Sequence, residues 1–414
     1  MDRSNISGRF VARLFRFGLG LLLGSPAFAA PPDPETAPLP DPADYFQIRG
    51  GLENCRLQFA RERRGRVAFL GGSITHMPGW RDLVSRELER RFPGTTFDFV
   101  NAGIPSLGSV PDAFRFTRDV LARGPVDLLF VDAAVNDEIN ETSPDDQLRA
   151  MEGIVRQALA ANPATDIVLL YLADPAKLKT IRQGGQSAAI ANHERVAAHY
   201  GLPAVDLAHE VAARISAGQF SWEKDFKGLH PAPFGHAVYA RAIARLMDAA
   251  WSVPLKDTAR SQPHALPAPL DPAAYAHGRL VPVNQAGRDD HWQLIEKWHP
   301  QDGVAMREGF VDVPALVADQ PGATLRFRFH GTAVGLFVAS GPDTGIIEWQ
   351  VDGGPRGTLN LFTRWSPTLH LPWAQVLAGA LPAGEHELVL RIAAGSDSRS
   401  KGHAVRILHF LVND

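Results

Sequence analysis

The chain has 414 residues, with 42 Lys and Arg against 45 Asp and Glu, so its formal net charge is −3. This length exceeds that of an ordinary single domain, and we expect two domains. The slight acidity argues against nucleic acid or an anionic membrane as a partner, and a single cysteine, Cys55, excludes an internal disulfide.

The first 29 residues have the features of an export signal. Four arginines within residues 1–16 precede the short apolar run "FGLGLLLG", and residues 27–29, "AFA", have the small-x-small form of a signal-peptidase site. The run is far shorter than the ~18 apolar residues that a membrane-spanning helix needs. We therefore predict a signal peptide at 1–29 and a flexible Pro-rich leader at 30–50. The mature protein is then expected to be secreted or periplasmic, with no integral membrane segment.

Residues 51–252 alternate short β-rich runs with amphipathic helical stretches. The β-rich runs are "RVAFL", "TFDFV", "VDLLFV", "DIVLLYL" and "PAVDL". Such alternation is typical of a parallel sheet covered by helices on both faces. We predict an α/β fold, a flavodoxin-like three-layer α/β/α sandwich around a five-stranded parallel sheet.

The sequence pattern changes after residue 252. Residues 253–290 are rich in proline and polar residues, which is typical of a connection. Residues 291–414 contain short alternating runs such as "ATLRFRFHG", "AVGLFVA" and "HELVLRIAA", separated by turn residues. This pattern predicts an all-β sandwich domain, jelly-roll-like, that packs as a separate unit.

Three polar residues follow predicted strands of the first domain. Ser73, Asn101 and Asn136 each come just past a strand end, and the carboxyl ends of parallel strands share the edge where ligands bind. Ser73 follows two glycines in "GGSIT", and a tight turn there exposes a serine hydroxyl beside backbone N–H groups. Thr75 replaces the last glycine of a G-x-S-x-G elbow, so a plain turn or a phosphate-binding loop fits this motif alone equally well.

Four segments taken together are more specific. They are "FLGGSITHMPGW" (69–80), "NAGIPSLGS" (101–109), "VNDE" (135–138) and "GLHPAPFGH" (228–236). In this order and spacing they resemble the SGNH (GDSL-type) hydrolase superfamily of serine esterases and acyl hydrolases, over residues 66–251. The resemblance implies ester hydrolysis at a serine, with no cofactor and no metal.

The resemblance also implies the roles of individual residues. Ser73 matches the nucleophile, His230 the general base, and Asn136 a side-chain donor of the oxyanion hole. Backbone N–H groups of Ser73 and of Ser106 or Gly108 complete the hole, although Ser106 stands where the family usually has glycine. In such a site the histidine takes the serine proton, and the N–H donors stabilise the charge that develops on the carbonyl oxygen.

One position departs from the family pattern. SGNH enzymes normally carry an aspartate three residues before the catalytic histidine, and here Lys227 occupies that position. Lysine has no acceptor for an imidazole N–H. We therefore predict that Asp225 orients His230; the alternative is a Ser-His dyad in which His230 donates to a backbone carbonyl.

These features favour an exported serine esterase that hydrolyses O-acyl esters, preferably O-acetyl esters, on a polysaccharide or oligosaccharide through an acyl-enzyme. An acyltransferase using the same site and a catalytically degenerate carbohydrate-binding protein are the alternatives. Trp365, His370 and Trp373 of the sandwich are candidates for stacking on sugar rings or, alternatively, core residues. His193 is expected on a helix surface.

Overall fold

The computed structural model describes residues 45–307 and 309–414, so the predicted signal peptide and the leader up to residue 44 lie outside it. A six-stranded sheet is built from β1 (Phe46–Gln47), β2 (Arg64–Gly71), β3 (Thr96–Gly103), β4 (Leu128–Asp132), β5 (Asp166–Leu170) and β6 (Ala204–Val205). Its order is β1-β6-β5-β4-β2-β3, with β2 to β6 parallel and β1 antiparallel. The predicted five-stranded parallel sheet is confirmed. The last residues of the predicted leader add a short edge strand to it.

Helices cover both faces of this sheet. They are α1 (Glu53–Leu57), α2 (Ser73–His76), α3 (Trp80–Arg91), α4 (Ser109–Asp119), α5 (Ala134–Ile139), α6 (Pro144–Ala161), α7 (Pro175–Arg182), α8 (Ala188–His199), α9 (Leu207–Ser216) and α10 (Pro233–Ala250), with π-helical turns at Gln58–Glu62 and Trp222–Phe226. α3 packs on α10, whereas α6 packs on both α4 and α8. Crossovers between parallel strands are right-handed, so helices that connect strands towards one edge of the sheet lie on one face, and helices that connect strands towards the other edge lie on the opposite face. This gives the predicted three layers. None of the helices described is both long and apolar enough to span a bilayer.

The second half of the chain forms two further sheets. Its strands are β7 (Gly278–Pro282), β8 (Gly287–Arg288), β9 (Gln293–Trp298), β10 (Ala305–Met306), β11 (Val313–Ala318), β12 (Thr324–Gly331), β13 (Ala333–Ser340), β14 (Ile346–Val351), β15 (Gly357–Asn360), β16 (Leu369–Ala378), β17 (Gly384–Ile392) and β18 (Val405–Asn413). One sheet has the order β10-β16-β13-β18-β11-β9 with β7 also on β18, and the other has the order β15-β14-β17-β12-β8. The predicted all-β region is confirmed, and β7 and β8 lie within the segment predicted to be a connection.

The centre of the seven-stranded sheet is buried on both faces. All eight residues of its strand β13 are buried. Because successive side chains of a strand point to opposite faces, Val334, Leu336 and Val338 enter the core between the two β sheets, whereas Phe337 and Ala339 join the core of the α/β region.

Helix α4 is the element on which this sheet rests. It contacts β7, β16 and β18, and Phe114 of α4 lies 5.0 Å from the Tyr275 ring. On the sheet side, Phe310 stacks on Phe337 with ring centroids 5.1 Å apart. The two halves of the chain therefore share one apolar core. The sequence pattern predicted a sandwich that packs as a separate unit. The alternating pattern does not show that helix α4 covers the outer face of one of its sheets.

Candidate active site

Ser73 lies on the turn between β2 and α2. Gly72 is extended and precedes the first helical residue, Ser73. A β-carbon at position 72 would clash with Nδ2 of Asn136, and one at position 71 would lie 2.5 Å from the backbone oxygen of Asp132. Both glycines are therefore required by close packing, and the turn leaves the Ser73 side chain partly exposed.

His230 faces Ser73 from the segment that precedes α10. Its Nε2 lies 2.8 Å from Ser73 Oγ. The segment is fixed by a hydrogen bond from the Ala232 N–H to the Phe226 carbonyl over 2.7 Å, and the Phe226 side chain is fully buried. When the serine hydroxyl donates to Nε2, the imidazole carries its proton on Nδ1. The two residues can thus exchange a proton directly.

Asp225 does not contact His230. Its Oδ2 accepts hydrogen bonds from the backbone N–H of Ser221 at 2.7 Å and from the Ser221 hydroxyl at 3.4 Å. Lys227 has a left-handed backbone with φ +64° and an exposed side chain. Within the described residues, no carboxylate is hydrogen-bonded to His230. The predicted orienting contact is therefore missing, because Asp225 closes the π-helical turn on which it lies.

Asn136 lies between the serine turn and the loop that precedes α4. It belongs to α5 and is 9% exposed. Its Nδ2 donates to the Leu107 carbonyl over 2.7 Å and packs against the backbone of Gly72. A side-chain amide has two N–H donors, so one remains available for another acceptor.

The other predicted oxyanion donors lie on the same loop, residues 106–109. Asn140 donates to the Ser106 carbonyl over 2.9 Å, and the Asp137 carboxylate accepts from the Ser109 N–H over 2.9 Å. Ser106 has φ +75°, the left-handed region that glycine prefers. A β-carbon on Gly108 would clash with the same Asp137 carboxylate. Helix α5 and the residue that follows it thus fix the loop relative to Ser73.

A buried histidine–aspartate hydrogen bond supports this loop from behind. His193 Nε2 lies 2.9 Å from Asp137 Oδ2, and the two residues are 1% and 0% exposed. The expectation that His193 lies on a helix surface is wrong. Its position three residues from both Ile190 and Val196, which are buried, places it on the apolar stripe of α8, and this spacing could have identified it.

The sandwich reaches the same edge of the α/β region with two arginines. Arg307 Nη2 donates to Ser106 Oγ over 3.2 Å, and Arg364 Nη2 donates to the Ile139 carbonyl over 2.5 Å. Arg364 also lies over the ring of Trp365, with its guanidinium carbon 5.0 Å from the ring centroid. No local motif marks either arginine, because the contacts join positions more than 200 residues apart.

The predicted sugar-stacking residues have different environments. Trp365 is 42% exposed, beside the carboxyl end of α5. Trp373 is half-buried and lines a cavity of about 190 Å³ beside the loop that precedes α4 and the first turn of α4. His370 is buried and bonded to the Asp302 carboxylate at 3.0 Å, so its ring is not a stacking surface.

Two buried titratable groups flank the serine turn. Asp132 accepts a hydrogen bond from Thr75 Oγ1 over 3.1 Å, and burial raises the pKa of Asp132 to about 7. Burial lowers the pKa of His236, whose Nδ1 accepts from the Trp80 N–H. The described residues contain no cluster of three or more His, Cys, Asp or Glu side chains arranged to hold a metal.

The chain has detectable similarity to known proteins. Residues 69–238 match the family model described as the GDSL-like Lipase/Acylhydrolase family. A crystal structure of a two-domain esterase active on acetylated mannans, co-crystallised with mannopentaose, matches with a TM-score of 0.72 and 20% identity. The match covers 90% of this chain and 98% of that one. At this identity it shows a shared fold across both halves.

A smaller structure matches less than half of the chain. The acetylxylan esterase Axe2 from Geobacillus stearothermophilus has 18% identity and a TM-score of 0.37, over 44% of this chain and 94% of its own. No curated protein matches the sequence.

Proposed function

We propose that this chain, a carboxylic ester hydrolase whose residues 69–238 form a GDSL-like lipase/acylhydrolase domain, removes O-acetyl groups from a carbohydrate polymer outside the cytoplasm. The nucleophile is Ser73 and the general base is His230. The observation that carries this proposal is the 2.8 Å contact between His230 Nε2 and Ser73 Oγ, on a turn that packs against Asn136.

The reaction has two steps. In the first, Ser73 Oγ attacks the acyl carbonyl carbon, and its proton passes to His230 Nε2. The tetrahedral intermediate collapses to an acyl-enzyme when His230 returns this proton to the leaving sugar oxygen. In the second step, water attacks the acyl-enzyme with His230 again as the base, which releases acetate and regenerates Ser73.

The oxyanion is stabilised by groups that are already in place. The second N–H of Asn136 Nδ2 and the backbone N–H groups of Ser73 and of Ser106 or Gly108 are the proposed donors. Hydrogen bonds from α5 and Asn140 hold the loop in position before substrate binds. A preorganised donor is effective because it does not have to reorient during the reaction.

His230 acts without an orienting carboxylate in this proposal. Its side chain is exposed, so solvent can stabilise the imidazolium that forms during the reaction. The geometry therefore favours a Ser73–His230 dyad over a triad with Asp225, whose carboxylate is bonded to Ser221. The missing carboxylate contact to His230 also favours the second candidate, a carbohydrate-binding protein that retains the cleft without turnover.

Three observations support a carbohydrate ester as the substrate and an extracytoplasmic location. The two-domain structure that matches both halves of the chain is that of an esterase active on acetylated mannans. Trp365 is an exposed aromatic side chain beside helix α5, suited to stacking on a sugar ring. The export-signal features of residues 1–29 provide a route out of the cytoplasm.

The test compares the wild type with Ser73→Ala. Wild type should hydrolyse 4-nitrophenyl acetate, release acetate from acetylated mannan or xylan, and be labelled at Ser73 by an organophosphonate. Ser73→Ala should lose all three properties and retain its thermal unfolding temperature. Ser85→Ala, which removes a helix-surface hydroxyl bonded to the Arg81 carbonyl, is the matched control and should retain all three. Turnover by Ser73→Ala would refute the mechanism, and glycan binding without turnover by wild type would identify the degenerate binding protein.

A further inference from the structure

Lys177 is a fully buried lysine that the proposed reaction steps do not use. It lies in the first turn of α7, which follows strand β5 at the carboxyl edge of the sheet. Its ammonium lies 2.6 Å from Asp174 Oδ2 and 2.7 Å from Glu138 Oε2. Burying a cation is costly unless anions and hydrogen-bond acceptors surround it. The two carboxylates therefore offset the cost of placing this charge inside the protein.

Asp174 holds Lys177 from its own helix. Asp174 is the N-cap residue of α7 and is 3% exposed. Its Oδ1 accepts a hydrogen bond from the backbone N–H of Lys177 over 2.9 Å, while its Oδ2 accepts from the Lys177 ammonium. Because both carboxylate oxygens are bonded, the ammonium has a fixed position relative to the end of β5.

Glu138 carries the contact from Lys177 to α5. Its Oε2 also accepts a hydrogen bond from Ser187 Oγ over 2.7 Å, and Ser187 is the N-cap residue of α8. Burial acts to raise the pKa of Glu138, but the hydrogen bonds from Lys177 and Ser187 outweigh it and lower this pKa below its ordinary value. Glu138 is therefore ionised at neutral pH, and its carboxylate joins α5 to two other helices.

Helix α5 depends on such contacts for its position. It has six residues, and Ala133 at its N-cap has no side chain that can cap it. A helix this short is not stable by itself, so tertiary contacts must hold it. Asn136 and Asp137 bond to the loop of the proposed oxyanion donors, whereas Glu138 bonds to Lys177 on α7. The Glu138 contact therefore positions α5 from outside the loop that α5 supports.

We propose that Lys177 is a positioning residue for Asn136: its ammonium, held at the end of β5, fixes α5 through Glu138 and so sets the direction of the Asn136 amide. This inference rests on the proposed esterase function and adds a residue to its machinery. Among the described residues, no hydrogen bond joins Lys177 to Ser73 or to the loop of the proposed oxyanion donors. The best-attested role of a buried ion pair is to specify one arrangement of the elements it joins, since its net contribution to stability is small.

A double-mutant cycle on kcat tests this role. Lys177→Met keeps most of the apolar length of the side chain and removes the charge. It should lower kcat for 4-nitrophenyl acetate by about 10- to 100-fold with little change in KM, because a misplaced donor weakens the transition state more than substrate binding. In the Asn136→Ala background the same substitution should have almost no further effect, because the group that Lys177 positions is already absent.

Variants of the partner residue make the test independent of Lys177→Met. Glu138→Ala breaks the link to α5 and leaves Lys177 paired with Asp174, so it should reproduce the loss of kcat even if Lys177→Met fails to fold. Glu138→Gln keeps an oxygen acceptor for Lys177 and Ser187 and should retain most of kcat. The matched control is Arg245→Met, which removes a cation that pairs with the buried Glu210 over 2.5 Å between α10 and α9. It should keep kcat close to the wild-type value.

The outcomes separate the two proposals. Unchanged kcat in Glu138→Ala, or in a folded Lys177→Met, would overturn the positioning role and leave the esterase function standing. A loss of kcat as large in the Asn136→Ala background as in wild type would also overturn it, because Lys177 would then act through another group or through general stability. Absence of ester hydrolysis in wild type, with Ser73 unlabelled, would count against the proposed function itself.

Discussion

Replacement of Asn136 by alanine separates two roles that the structure combines in one side chain. Asn136 donates to the Leu107 carbonyl over 2.7 Å, and its second N–H is the proposed donor to the oxyanion. Asn140 makes a hydrogen bond of the same kind to the Ser106 carbonyl over 2.9 Å on the same loop. Asn140→Ala is therefore a matched control that removes a loop anchor without removing an oxyanion donor.

The expected magnitudes differ between the two variants. Loss of an oxyanion donor typically lowers kcat by ~100- to 1000-fold, and this loss should appear in Asn136→Ala. Both variants leave a backbone carbonyl without its partner, which lowers the free energy of unfolding by about 1–3 kcal/mol where the group is buried. Asn140→Ala should therefore show a comparable loss of stability with a much smaller loss of kcat.

Steady-state hydrolysis of 4-nitrophenyl acetate and thermal unfolding measure the two effects independently. The oxyanion role predicts that kcat falls in Asn136→Ala while KM changes little, because the donor acts mainly in the transition state. Equal losses of kcat in the two variants would refute this reasoning, since Asn136 would then act only by anchoring the loop.

Three further predictions follow from the contacts of single residues and from the shared core. Asp225→Asn should lower kcat far less than the ~10⁴-fold seen when a serine protease loses its orienting carboxylate, because the Asp225 carboxylate is bonded to Ser221. Lys227→Asp should raise kcat by supplying an orienting carboxylate. A large loss of kcat in Asp225→Asn would show that Asp225 is part of a catalytic triad. The pKa of Asp132 is raised from 3.8 to about 7, so its contribution to stability, at most about 4 kcal/mol, is fully present below pH 3.8 and is lost as the pH rises from there to about 7. The pH dependence of thermal unfolding measures this fall, and Asp132→Asn should lack it. Truncation after residue 255 should give an aggregated product in size-exclusion chromatography, because it uncovers the apolar face of α4; a soluble, active fragment would contradict the shared core.

The parts of the fold that were predicted from the sequence depend on local patterns. The runs around residues 66–70 and 126–131 are apolar and rich in β-formers, and each becomes a buried strand of the parallel sheet. Ser73 could be placed on a turn because two glycines follow such a run. The contact between Ser73 and His230 then follows from the family pattern, in which the histidine segment precedes the last helix.

The parts that were missed depend on tertiary contacts. Arg307 meets Ser106 across 201 positions of sequence, and no periodicity records such a pairing. Asp225 was predicted near His230 from its place in the sequence, but a π-helical turn directs its carboxylate to Ser221. His193 is predicted on a helix surface, but its position on α8 is that of a core residue, where the Asp137 carboxylate is its hydrogen-bond partner.

The seven-stranded sheet, whose centre is buried on both faces, links the sandwich to the edge of the α/β region that carries Ser73. A sheet covered on both faces is fixed relative to both of its neighbours, so β10, which pairs with β16 of that sheet, holds a defined position against α4. The loop of the proposed oxyanion donors leads directly into α4, and Arg307 contacts that loop at Ser106. Because core packing tolerates little displacement, the sandwich is held in a fixed position against the loop of the proposed oxyanion donors. A domain on a flexible connection could not hold Arg307 in that geometry, since each hydrogen bond would first have to offset the entropy of ordering the linker.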